Sequence, residues 1–337
     1  MTGKPSDVNQ PATAGAVSKG VIFAGYLGGG TIKDCGLADL GTAEDKPPYW
    51  AHLDRSESDA QNWLVRESGL PSAALHAILA EETRPRLESF DGGGLLLILR
   101  GVNLNPGADP EDMITLRIWA EEKRVISLRR FRIMAVQDVR DQLEKGQGPS
   151  TIGGAVTQVI GGLLQRMEPT IQSLQEAIDD VEVETLEEET PDIRQKLYGL
   201  RTQIVRLRRY VAPQRDALKQ LLEGPPSWFS KDDRNRLRHA LDQVTRYVEA
   251  LEAARDRTAV VQDEMANRIG EMANRRIYLL SIVAGIFLPL GLLTGLLGIN
   301  VAGMPGAETP WAFWAVCGLL GVLVVFEIWL FKRLNWV

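Results

Sequence analysis

The stretch Ile277–Ala307, IYLLSIVAGIFLPLGLLTGLLGINVAGMPGA, holds no charged side chain in 31 consecutive positions. A helix needs roughly 20 apolar residues to cross about 30 Å of hydrocarbon, so this run is long enough to span a bilayer. A second run of 21 positions, Trp311 to Phe331, carries only Glu327. The chain-wide averages hide both runs. Over 337 residues the composition is 45% hydrophobic and 24% charged, with a mean hydropathy of −0.10 that would suit a soluble enzyme. The uneven distribution predicts a membrane protein with a large soluble part preceding two C-terminal spans.

Orientation follows from the basic residues. Arg268, Arg275 and Arg276 precede the first span, Lys332 and Arg333 follow the second, and the loop Val301–Pro310 has neither Lys nor Arg. The positive-inside rule then puts both termini in the cytoplasm. Met1–Ser18 lacks an apolar core of signal-peptide length and reads as a flexible tail rich in Pro, Ala, Gly and Ser. A net charge of −6 argues against a nucleic-acid partner, which would need a basic surface. The two cysteines, Cys35 and Cys317, lie too far apart in sequence to indicate a disulfide framework or a cysteine zinc site. No Ser/His/Asp constellation and no paired carboxylates at strand ends point to an enzyme, and no cofactor is expected.

Residues 19–150 alternate short strand-like and helix-like segments, which predicts an α/β domain. Val21–Phe23, Leu95–Leu99, Met113–Trp119 and Val125–Leu128 read as strands; Asp59–Glu67, Ser72–Glu82 and Ile133–Lys145 read as helices. The run Gly25–Gly30 lacks the spacing of a nucleotide-binding loop and is expected to be a turn. Residues 151–276 form a long-helix and stalk region. Leu164, Met167, Ile171, Leu174, Ile178 and Val181 step by three and four, as do Leu197, Leu200, Ile204, Leu207 and Val211, with Pro191 between the two sets. The first helix is acidic (Glu176, Asp179, Asp180, Glu182, Glu184, Glu187) and the second basic (Arg194, Lys196, Arg201, Arg206, Arg208). An antiparallel hairpin would set these charges side by side, while a cation-attracting role for the acids is the competing reading.

A third helix is expected to start near Ser230 and to meet no proline before Pro289. Positions 237, 241, 244, 248, 251, 255, 258, 262, 265, 269, 272, 276 and 279 keep heptad spacing, with Arg255, Thr258, Gln262 and Arg276 as polar exceptions. A second stripe runs beside it through Asp263, Asn267, Gly270, Asn274, Ile277, Ser281, Ala284, Leu288, Gly291, Gly295 and Gly298. It is polar at first and mostly small within the apolar run. Such a face could hold waters around a passing cation, or it could pack tightly through Gly291-x-x-x-Gly295. Two spans cannot enclose a pore, so transport would require an oligomer. The first span is assigned to residues 277–297, the outer loop to 298–310, the second span to 311–331 and a basic tail to 332–337.

The loop opens with Gly298-Ile299-Asn300. In this position, before a short outer loop and a second span, the tripeptide resembles the Gly-Met-Asn signature of the CorA family of divalent-cation transporters. Ile299, the preceding Leu297, Gly303-x-Pro305-Gly306, Pro48–Asp54 and Thr83–Arg86 resemble its zinc-transporter (ZntB) branch. The resemblance implies a funnel-shaped homopentamer in the bacterial inner membrane, with the lipid bilayer and divalent cations as its other partners. It also implies a first span that lines the pore, with Asn300 at the outer mouth and Asp263 and Asn274 in the inner part. The transported ion would be zinc, driven by a proton gradient in that branch. A magnesium, cobalt or nickel channel and a non-conducting membrane-anchored scaffold remain the alternatives.

The neutral amide oxygen of Asn300 can meet a hydrated cation without stripping it, and Glu308 in the outer loop would form a ring of acids in an oligomer. Glu327 stands five residues before Lys332, a spacing that favours an interfacial position over a proton relay. His52, His76 and His239 share no ligand spacing, so zinc specificity rests on the resemblance alone, and no metal-binding residues can be named.

Overall fold

The structure, a computed structural model, describes residues 19–40, 46–81, 84–187, 191–299, 306 and 309–333. By its internal contacts the chain divides into two units, Met1–Val261 and Gln262–Val337. The first unit is built on a seven-stranded sheet of strands β1 (Val21–Gly28), β2 (Thr31–Asp34), β3 (Tyr49–Asp54), β4 (Arg86–Ser89), β5 (Leu95–Gly101), β6 (Ile114–Glu121) and β7 (Arg124–Arg129). Their order is β2-β1-β3-β7-β6-β5-β4, and every neighbouring pair is antiparallel except β3 and β7.

Strand alternation sorts the side chains onto two buried faces. Ala51, Leu53, Leu96, Ile98, Trp119, Ile126 and Leu128 join the core formed with helices α1 (Ser58–Arg66) and α2 (Ser72–Leu79). The opposite face is covered by α3 (Met134–Glu144), α4 (Ile152–Gln165) and the long α6 (Pro191–Glu223). Covering on both sides is why Leu95–Leu99 reads as an unbroken apolar run: all five are at most 2% exposed. Each such burial contributes about 1.5–3 kcal/mol. Of the Gly25–Gly30 run, expected to be a turn, only Gly29 and Gly30 turn the chain, with φ of 58° and 81° that side-chain-bearing residues disfavour; Gly25–Gly28 belong to β1 and pair with β2.

Two polar groups lie deep in this sheet. On β3, His52 is 1% exposed with Nδ1 2.8 Å from the Ser127 hydroxyl, which also accepts from Trp50 Nε1 at 2.7 Å. Burial, with the Arg129 charge in second place, pushes the imidazole pKa down to about 3. On the other face Arg117 is 2% exposed and donates to the Ala80 carbonyl at 2.7 Å, just past the end of α2. Burial and the neighbouring arginines Arg55, Arg100 and Arg86 push its pKa down to about 10.

The four expected strands and three expected helices are present within a few residues at their ends; Glu82 lies outside the described residues. The apolar series from Leu164 to Val181 is not one helix, because the chain breaks at Arg166 and Met167 between α4 and α5 (Glu168–Glu187). Opposite charges do meet between α5 and α6, where Lys196 lies 2.7 Å from Glu184. Other α6 cations pair elsewhere, Arg206 with Asp112 and Arg208 with Glu252. Helix α7 (Lys231–Leu297) begins as expected: Ser230 Oγ accepts from the Asp233 N–H at 3.1 Å, and Asp233 Oδ2 accepts from the Ser230 N–H at 2.9 Å. Helix α8 (Ala312–Arg333) closes the chain's described part.

Along α7 the buried seam is Leu237, Ala240, Val244, Tyr247, Val248, Leu251, Ala254, Thr258, Val261 and Met265. This corrects the expected heptad in two ways: its later positions Met272, Arg276 and Leu279 are exposed, and three earlier ones shift, the first where Ala240 is buried and Leu241 only half-buried. Ala254 and Val261 face inward, whereas Arg255 and Gln262 are exposed. The positions seven apart agree, and the intermediate ones sit one residue earlier because a straight helix repeats at 3.6 rather than 3.5 residues.

Candidate functional site

The described residues of the predicted path belong to the second unit, along the last ten turns of α7 and the two residues that follow it. Asp263, Asn274, Ser281, Leu288 and Gly291 project from one continuous helix; Gly298 and Ile299 follow directly at its C-terminal end. Alternating steps of three and four keep Asp263 through Gly298 on one slowly drifting face, which Ile299, one residue on, leaves. All seven are exposed in the single chain. Asn300 and Glu308 lie outside the described residues, as does the loop segment Val301–Pro305.

The face has a definite chemical gradient. Asp263 supplies a carboxylate and Asn274 an amide at its start. Ser281 donates its hydroxyl to the Ile277 carbonyl at 2.9 Å, so its oxygen faces outward as an acceptor. Thr294 behaves alike, donating to the Leu290 carbonyl at 2.9 Å. Hydroxyls satisfied by their own helix present oxygen lone pairs, the ligand type that hard or hydrated cations accept. Leu288, 71% exposed, then narrows the stripe before Gly291.

The glycines separate the two readings of the small residues. A Cβ placed at Gly291 or at Gly295 would meet no atom within 4 Å, so the Gly291-x-x-x-Gly295 face packs on nothing in this chain. Gly285 is the glycine in close contact, since a Cβ there would come within 2.9 Å of Phe331 on α8. The α7–α8 contact therefore uses a different face from the stripe. At the outer end the last turn tightens, with the Gly298 N–H donating to the Gly295 carbonyl at 3.2 Å.

Large apolar side chains surround the stripe in the open: Leu280, Phe287 and Leu292 are 67–72% exposed. Exposure on this scale is untenable in water and fits a lipid or helix environment. Helices α7 and α8 are both long and apolar enough to cross a membrane. Among the described residues no three His, Cys, Asp or Glu side chains gather as a metal site. His76 and His239 are exposed and His52 is engaged with Ser127.

Sequence spacing missed one feature. The spacing to Lys332 gave no sign that Glu327 is buried within the chain: it is 7% exposed while Phe326 and Ile328 on either side are 51% and 45% exposed. Its place in the series Leu320, Leu323, Glu327, Leu330 was the available signal.

Comparison with known proteins agrees with this architecture over nearly the whole chain. Residues 45–333 match the family described as CorA-like Mg2+ transporter protein. The divalent cation transporter CmaX of Pseudomonas aeruginosa is 43% identical over 319 residues, covering 94% of this chain and 96% of that protein. The zinc transport protein ZntB of Pectobacterium carotovorum is 35% identical over 318 residues, with the same two coverages. The solved structure of full-length CmaX superposes with a TM-score of 0.82 at 42% identity, covering 96% of this chain and all of that one. On this sequence and structural agreement, the chain belongs to the CorA family.

Proposed function

We propose that this protein carries zinc across the bacterial inner membrane as a homopentamer whose pore is lined by α7. Divalent-cation transport is the activity of its family, and the open stripe on α7 carries the assignment of the path. A face that runs from carboxylate and amide through hydroxyl oxygens to glycine, unpacked within its own chain, needs copies of itself to be enclosed. Around an axis it becomes a set of rings wide enough at Gly291 and Gly295 for a hydrated ion. Asn300 stands at the outer mouth and meets the hydration shell with a neutral amide, and the Glu308 ring raises the local cation concentration. Both termini then lie in the cytoplasm, a reading supported by the basic residues flanking the spans.

Zinc as the cargo is supported by Gly298-Ile299-Asn300 and by 35% identity to ZntB proteins. The 43% identity to CmaX, named for divalent cations in general, favours a second reading with broader selectivity. Purified protein in liposomes, challenged in turn with zinc, magnesium, cobalt and nickel, separates them. Zinc influx well above the other three supports the zinc reading, and equal rates support the broader one. Influx that rises with an inward proton gradient supports proton coupling.

A further inference from the structure

Helix α8 has one long face that its own chain leaves open. Val322, Val325, Phe326, Trp329 and Arg333 recur at steps of three and four and so share that face, and the four apolar ones are 50–69% exposed. Phe331, two positions from both Trp329 and Arg333, lies about 200° around the helix from each, and its ring meets α7, where a Cβ at Gly285 would come within 2.9 Å. The face with Trp329 and Arg333 therefore points away from α7. From Val322 to Arg333 it runs about 16 Å, close to one leaflet's half of a hydrocarbon core about 30 Å thick.

This face ends in charge. The Arg333 guanidinium stacks over the Trp329 ring, 5.3 Å from its centroid, and Trp329 packs against Phe326 with 5.9 Å between ring centroids. Stacking uses the flat face of the guanidinium and leaves its N–H edges for a planar or tetrahedral oxyanion. Lys332 beside it is exposed too, and among the described residues neither cation forms an ion pair or a side-chain hydrogen bond. Glu327, the acid of α8, is 7% exposed and two positions from Trp329, so it is turned to the far side. Two unneutralised cations thus close an exposed apolar track. A free phosphate would engage the cations and leave the track unused, whereas a zwitterionic lipid carries its own cation and cancels the attraction.

We propose that this face of α8 binds an anionic phospholipid, with the phosphate held by Lys332 and the N–H edge of Arg333 and an acyl chain lying along Trp329, Phe326 and Val322. Trp329 holds the guanidinium in place before the lipid arrives, which lowers the ordering cost of binding. The site rests on α8 crossing the membrane, not on the cargo proposed above.

Electron spin resonance of the full chain in phosphatidylcholine bilayers, probed with spin-labelled phosphatidylglycerol or spin-labelled phosphatidylcholine, tests this through the motionally restricted fraction of each lipid. Native protein is expected to prefer phosphatidylglycerol by about threefold or more, and the Lys332→Gln, Arg333→Gln pair to bring the ratio near one. A native ratio near one, or a preference unchanged in that pair, overturns the proposal. Trp329→Leu keeps both charges and serves if the pair fails to assemble; it is expected to lower the ratio, and an unchanged ratio overturns the site. The Arg275→Gln, Arg276→Gln pair removes equal charge from α7 and should retain most of the preference. An equal loss there would show a general positive field instead of a site on α8. Inorganic phosphate added at constant ionic strength separates the two phosphate sources: a retained preference supports the lipid, and an abolished one assigns the cations to free phosphate and overturns it.

Discussion

Arg257 of α7 is clamped to Glu182 of α5, Nε lying 2.9 Å from Oε1 and Nη2 2.5 Å from Oε2, while Nη2 also reaches Asp179. The two carboxylates hold the guanidinium charged and raise its pKa. The acidic helix is thus tied to α7 as well as to the basic α6, which makes charge pairing the better account of its acids than free cation attraction. Arg257 is 40% exposed, so solvent screens the pair and limits its contribution. Arg257→Ala is expected to lower the stability of the first unit by about 1 kcal/mol, and by less at high salt. Thermal unfolding at two salt concentrations checks this, and a loss that ignores salt would rule out the electrostatic explanation.

His52 gives the fold a pH dependence. Its folded pKa of about 3 lies below the unfolded value near 6.5, so between these limits the unfolded chain binds a proton that the folded chain refuses. Stability is therefore intact above pH 6.5 and declines as the pH falls toward 3, by on the order of a few kcal/mol. His52→Gln removes that contribution. The difference in unfolding midpoint between the native protein and the variant should narrow on going from pH 7 to pH 4.5, and a constant difference would contradict the neutral buried imidazole.

The open face of α7 can be mapped with thiol chemistry. In a Cys317→Ser background, Ser281→Cys and Gly291→Cys are expected to lose most zinc flux after treatment with a bulky charged thiol reagent. Val283→Cys, on another face, should keep its flux. Equal sensitivity at all three positions would show that the stripe is not the path.

Asn300→Ala is expected to lower flux by tenfold or more with the oligomer intact, since the proposed outer mouth would lose its amide oxygens. Size-exclusion light scattering monitors assembly alongside flux. Unchanged flux in an intact oligomer would remove Asn300 from the mechanism.

Much of this was legible in the sequence, and the gaps have physical causes. The apolar runs, the capped start of α7 and the strands β5, β6 and β7 are strong because burial on two sides, or a lipid setting, leaves few polar positions. Strand β3 was missed because Tyr49–Asp54 places His52 in its centre, and only the Ser127 contact reveals why a polar ring is tolerated there. Edge strands β2 and β4 are four residues each and mostly polar, so they show no alternation. The helix α6 continues through Pro213 to Glu223, twelve residues past the last apolar position read at Val211, because tertiary packing overrides the proline. Whether Gly291 packs or stands open depends on which face of α7 meets α8, and spacing alone does not contain that information.

Zinc entry into liposomes containing the purified protein and a trapped zinc-sensitive dye tests the central claim most directly. The account predicts influx dependent on the protein and abolished by a blocking thiol adduct at position 291. No influx of zinc or any other divalent cation, with or without an inward proton gradient, would contradict it.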